Sequence, residues 1–110
     1  MPHIEVGADF YRVVEETARD LYIKSQKDIP PDVRDALRRA AERETNPMAK
    51  QILQTMLKAV RLADERDMLV CQDTGIPVYY ATIGTALNLD GARVRDAITV
   101  GVERATLEHP

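Results

Sequence analysis

Apolar residues recur at helical spacing in three successive stretches of this chain. Between residues 8 and 26, Phe10, Val13, Val14, Thr17, Ala18 and Leu21 form one such stripe. The stripe predicts a first amphipathic helix, with Glu15, Glu16, Arg19 and Asp20 on its solvated face and Asp9 as a candidate cap. Pro30-Pro31 ends that helix and opens the next, because proline is accommodated in a first helical turn. The second helix is predicted over Pro31 to Glu44, with Val33, Ala36, Leu37, Ala40 and Ala41 on its apolar side. Its arginines alternate with Asp32, Asp35, Glu42 and Glu44, the pattern of surface ion pairs and not of a phosphate site. Asn46-Pro47 then pairs a good N-cap with a good first helical residue. The third helix is predicted over Pro47 to Glu65, burying Ile52, Leu53, Met56, Leu57, Val60 and Ala63.

The period changes after Glu65. Met68 to Cys71 is too short and too apolar for an amphipathic helix and predicts a brief buried strand, with helix as the alternative. Gln72 to Pro77 is a turn or loop, and Val78 to Gly84 predicts a second strand rich in aromatic and β-branched residues. Leu87-Asn88-Leu89 connects onward to Asp90, a candidate N-cap for a fourth helix over Gly91 to Leu107. Its stripe is Val94, Ala97, Ile98, Gly101, Val102 and Ala105. Glycine at 101 weakens the helix by up to about 1 kcal/mol relative to alanine, which close packing against another element would offset. The expected class is mainly α, of the α+β type. It has a helical N-terminal half, two short strands flanking the Cys-Gln-Asp-Thr-Gly loop and a C-terminal helix. Two strands alone make no stable sheet, so residues 1–110 are expected to form one segment of a larger fold.

Composition narrows the function classes. The formal net charge is −3 with both signs interspersed, which leaves no electrostatic footprint for nucleic acid or an anionic membrane. Aromatic content is 5% and Trp is absent, which argues against a stacking platform for single strands. No apolar run approaches the roughly 20 residues of a membrane span, and Met1 to Glu5 lacks the features of a signal peptide. With one cysteine there is no intrachain disulfide, so a cytoplasmic location is expected.

That cysteine, Cys71, stands where the first short apolar run meets Gln72, Asp73, Thr74 and Gly75. A packed run leading into a polar loop is a common way to present binding groups. Cys71 has three readings: a nucleophile, a metal or cluster ligand, or a small buried hydrophobe, the last being the commonest for an unpaired cysteine. A nucleophile wants a histidine base, and His3 and His109 lie at the chain ends. No second cysteine or histidine stands at zinc-ligand spacing.

Val70-Cys-Gln-Asp-Thr-Gly75, preceded by three helices and followed by a strand and a helix, resembles the N-terminal part of the alpha region of iron–sulfur-dependent hydro-lyases. This is the class I fumarase and L(+)-tartrate dehydratase family. The likeness extends over most of the chain, including the Pro-Pro break and the Asn-Pro helix start. It implies reversible removal of water from a small hydroxy-dicarboxylate such as malate or tartrate. It also implies a [4Fe-4S] cluster held by three cysteines, whose open iron would act as a Lewis acid on the substrate hydroxyl. By the same likeness Cys71 is the first cluster ligand. Gln72 and Asp73 line the substrate pocket, Gln72 donating to a substrate carboxylate. The likeness also gives Asp73 a catalytic role, binding a substrate hydroxyl or orienting a catalytic histidine elsewhere in the family's chain. Thr74 and Gly75 shape the loop.

The other two cysteines are absent from this chain, and one thiolate cannot hold a four-iron cluster. The complete enzyme is therefore expected to carry the cluster, and the 110-residue chain alone to be inactive and without it. The implied partners are the remainder of the alpha region, a beta region or subunit, and a homo- or hetero-oligomeric assembly. The competing reading is a non-catalytic helical interaction module with Cys71 in its core.

Overall fold

Four helices carry most of the chain in the computed structural model, which describes residues 2–71, 73 and 75–110. They are α1 (Ala8–Lys27), α2 (Pro31–Arg43), α3 (Pro47–Arg66) and α4 (Gly91–Glu108), each bound within one residue of its sequence prediction. Two two-residue strands, β1 (Ile4–Glu5) and β2 (Leu87–Asn88), pair in parallel, with Ile4 opposite Leu87 and Glu5 opposite Asn88. The mainly helical class with one pair of short strands therefore holds, but the strands do not flank the Cys71 loop. Met68 to Cys71 forms no ladder because its backbone is used to end α3. Asp67 adopts the left-handed conformation (φ 51°), and its N–H donates to the Ala63 carbonyl. Met68 N–H donates to the same oxygen at 3.0 Å. A left-handed residue closing a helix in this way is a C-capping motif, and Asp is among the few side chains that tolerate it. Val78 to Gly84 is likewise not a strand: among the described residues its one backbone hydrogen bond is the local turn from Leu87 N–H to the Gly84 carbonyl at 3.1 Å, and no ladder forms. The observed strands are two residues long each, too short to carry a period-2 signal.

The caps follow the sequence. Asn46 Oδ1 accepts from Met48 N–H at 2.9 Å and Ala49 N–H at 3.2 Å. Asp90 Oδ1 accepts from Ala92 N–H at 2.9 Å. Pro31 opens α2 without a side-chain cap. Asp9 does not cap α1; it lies inside the first turn, 3.6 Å from Arg12.

The chain divides into two compact units, residues 24–73 and residues 1–23 with 74–110. Within residues 24–73, α2 and α3 are joined by a short turn at Glu44 to Asn46 and pack as a helical hairpin. Ala41, Val60 and Ala63 are buried there. Leu37, Leu53 and Leu57 are half-buried, whereas Val33, Ile52 and Met56, expected inside, are exposed. The predicted stripes are thus wider than the surface that the hairpin covers. Arg38 pairs with Asp35 at 2.9 Å on the helix surface as the charge pattern implied. Arg34 instead reaches α3 and forks onto both oxygens of Asp64, with Nη2 3.0 Å from Oδ1.

In residues 1–23 and 74–110, α1 packs on α4 through small residues. Gly101 and Ala105 are buried on α4, and Ala18 is buried on α1. All six predicted stripe positions of α4 are buried or half-buried. On α1 the inward face is rotated from the prediction: Tyr11, Val14 and Ala18 face in, while Val13 and Leu21 are exposed. Gly101 sets this rotation, because it lets α4 approach the α1 backbone at Glu15, Ala18 and Arg19. Arg104 bonds Glu15 at 3.0 Å, and Arg19 pairs with Glu108 beside the crossing. The Tyr11 hydroxyl accepts from Asp90 N–H at 3.0 Å, and the Arg93 guanidinium lies 4.0 Å above the Tyr11 ring. Among the described residues no helix is long and apolar enough to cross a membrane.

Candidate functional site

The end of α3 determines where Cys71 lies. After the Asp67 cap, Lys27 Nζ bonds Asp67 at 2.9 Å, and Val70 N–H donates to the Gln26 carbonyl at 3.0 Å. These two ties hold the approach to Cys71 against the last turn of α1. Cys71 itself is exposed, which overturns its reading as a core residue. The physical reason is local. Leu69 and Val70 are half-buried, and the chain then leaves that contact.

The Cys71 Sγ accepts a hydrogen bond from the Asp73 backbone N–H at 3.3 Å. A thiol with an N–H donor on its sulfur has its direction fixed, and such outer-shell donors tune a ligating thiolate. The Asp73 carboxylate is exposed, free to meet a ligand from solvent. The structure therefore brings Cys71 and Asp73 together through sulfur and backbone. Gln72 and Thr74, two members of the predicted loop, lie outside the described residues. The Asp73 N–H contact had no signal in the sequence, since it depends on the backbone path between the two residues.

Among the described residues no group of three or more His, Cys, Asp or Glu side chains is placed to hold a metal ion. The donor set beside Cys71 is one thiol, which does not by itself fit a four-iron cluster. The perturbed carboxylates lie elsewhere and serve ion pairs. Hydrogen bonding from Arg34 holds Asp64 below the usual carboxylate range, and hydrogen bonding from Arg19 does the same for Glu108. Burial pushes the Tyr79 hydroxyl up; it donates to the Ala18 carbonyl at 2.6 Å. Two shallow hollows in residues 1–23 and 74–110 are open to solvent. One is bordered by Tyr11, Glu15 and Arg93, the other by Pro77, Tyr79, Val94 and Ile98. Neither includes Cys71 or Asp73.

Comparison with known proteins bears on this loop directly. A family model described as fumarate hydratase (Fumerase) matches residues 15–110. The chain is 29% identical over 98 residues to a putative L(+)-tartrate dehydratase subunit alpha of Methanocaldococcus jannaschii, covering 88% of this chain and 34% of that protein. It is 28% identical over 92 residues to a putative fumarate hydratase class I of Geobacillus stearothermophilus, covering 83% of this chain and 18% of that protein. Against the L(+)-tartrate dehydratase subunit alpha of Escherichia coli (strain K12) it is 32% identical over 82 residues, 74% of this chain and 27% of that protein. The chain thus spans about a third or less of the length of these curated relatives.

Proposed function

The chain belongs to the fumarate hydratase (Fumerase) family, and from that membership we propose that it is the N-terminal part of a hydro-lyase acting on a small hydroxy-dicarboxylate. The observation that carries the reading is the family match over residues 15–110, which includes the Cys71-Gln72-Asp73 loop. The relatives' names supply the substrate class, with malate and fumarate or L(+)-tartrate as the candidates.

The reaction breaks a carbon–oxygen bond and removes a proton from the neighbouring carbon, releasing water and leaving a double bond. It needs the substrate carboxylates and hydroxyl held in fixed orientation. In this reading the Gln72 amide donates to a substrate carboxylate. The Asp73 carboxylate accepts from the substrate hydroxyl, or orients the group that moves the proton. Cys71 supplies one sulfur ligand to an iron–sulfur cluster whose other ligands lie outside these 110 residues. Its exposure and the N–H donor on its sulfur support a ligand role over a core role. A beta region or subunit completes the assembly, in keeping with relatives named as alpha subunits.

The test is an anaerobic assay of the complete subunit, with its beta partner, on malate and L(+)-tartrate, beside the isolated 110-residue chain incubated with iron and sulfide. The reading expects turnover and cluster absorbance only from the complete protein. A stoichiometric cluster and dehydration by the isolated chain would overturn it.

A further inference from the structure

Residues 76–83 have the sequence of a strand, yet among the described residues no strand pairs with them. Val78, Tyr79, Tyr80, Thr82 and Ile83 all favour extended backbone. Yet among the described residues no backbone hydrogen bond joins this segment to another.

The two registers of the segment differ in what they touch. Pro77 and Tyr79 border a hollow with Val94 and Ile98 of α4, and the Tyr79 hydroxyl bonds Ala18 of α1 at 2.6 Å. The alternate residues Ile76, Val78 and Tyr80 are 89%, 68% and 97% exposed. A strand with one solvated face alternates apolar with polar residues, whereas a strand covered on both faces is apolar in both registers. The segment has the second pattern, yet only Tyr79 is half-buried and the rest of both registers is exposed. Unpaired N–H and C=O groups flanked by apolar side chains form a template for another strand.

We infer that residues 78–83 pair with a β-strand from the part of the subunit outside these 110 residues, and that this part covers Ile76, Val78 and Tyr80. The inference rests on the reading of the chain as a portion of a longer hydro-lyase subunit. The occupant follows from length. The match takes up 34% of the Methanocaldococcus jannaschii protein, so about two-thirds of such a subunit is available to supply the strand and the cover. Pairing begins at Val78, because Pro77 has no N–H to donate.

Hydrogen–deuterium exchange on the 110-residue chain and on the product of the whole reading frame that contains it tests this. Amides of residues 78–83 are expected to exchange at least ~100-fold more slowly in the complete subunit. Rates equal within about threefold would overturn the inference. A complete subunit that is protected there but inactive on malate and tartrate refutes the functional reading alone. An active but unprotected one refutes the strand alone. A reading frame ending at residue 110 refutes both. Val78→Lys gives a second readout. It is expected to lower the Tm of the complete subunit by several degrees while moving that of the 110-residue chain by about 1 °C or less. An unchanged Tm in both overturns the inference. So does protection of 78–83 in a dimer of the 110-residue chain, which would make a second copy the occupant.

Discussion

Gly101→Ala is expected to destabilise the protein, although alanine is the better helix former. An alanine methyl at 101 would overlap the Glu15 carbonyl oxygen and stand 3.0 Å from Arg19 N and 3.1 Å from the Ala18 Cβ. Two of these three neighbours are α1 backbone, which cannot swing aside as a flexible side chain can. At the Glu15 carbonyl the helices must separate by roughly 1 Å to restore ordinary contact at 3.4 Å or more. That separation also loosens the Arg104–Glu15 and Arg19–Glu108 pairs beside the crossing. Helix propensity returns up to about 1 kcal/mol to the variant. Overpacking costs about 1–3 kcal/mol and more where backbone must move. The net expectation is a loss of about 1–2 kcal/mol, since the overlap falls on backbone. Urea unfolding followed by far-ultraviolet circular dichroism measures it as a lower midpoint at unchanged slope. A variant more stable than the parent by about 0.5–1 kcal/mol would show propensity acting alone, and the α1–α4 approach would be refuted.

Two further outcomes follow from the caps and ion pairs. Asn46→Ala removes the acceptor of two α3 amide protons and is expected to lower stability by about 1 kcal/mol, while Asn46→Asp restores it; equal Tm values for all three proteins would refute the cap. Asp64 and Glu108 have lowered pKa values through hydrogen bonds from Arg34 and Arg19, so their pairs stabilise the fold above the ordinary carboxylate range. That contribution is lost as pH falls through the lowered values, so Asp64→Asn is expected to flatten the acid limb of stability against pH. Because the pairs are exposed, the effect is small and weakens with salt. A carboxyl titration of Asp64 by NMR in the ordinary range would contradict the pairing.

The helices were legible because their signals are local. Asn46-Pro47, Pro30-Pro31 and Asp90 mark starts through the chemistry of a few neighbouring atoms, and the bounds follow to within one residue. Which residues of a stripe become buried depends on the neighbouring element. On α1, Ala18 is buried as predicted, but Tyr11 is buried where Val13 and Leu21 were expected to be. On α3, Ile52 and Met56 belong to the apolar stripe but are exposed. Strands were least legible, because a strand exists only with a partner. Ile4–Glu5 and Leu87–Asn88 pair across more than eighty positions in sequence with no period to announce it. Residues 78–84 have the propensity and lack the ladder. At the candidate site, sequence singled out Cys71 and Asp73 as neighbours. Their sulfur-to-amide contact and the exposure of Cys71 required the backbone path set by the Asp67 cap and the Val70–Gln26 bond.

The account turns on Cys71 as a cluster ligand in a longer hydro-lyase. Iron and sulfide content, together with malate and tartrate turnover, measured anaerobically on the complete subunit and its Cys71→Ser variant, tests that most directly. The account predicts a variant that keeps the parent's circular dichroism spectrum but loses the cluster and at least ~100-fold of the activity. A Cys71→Ser protein with full cluster content and undiminished turnover would contradict it.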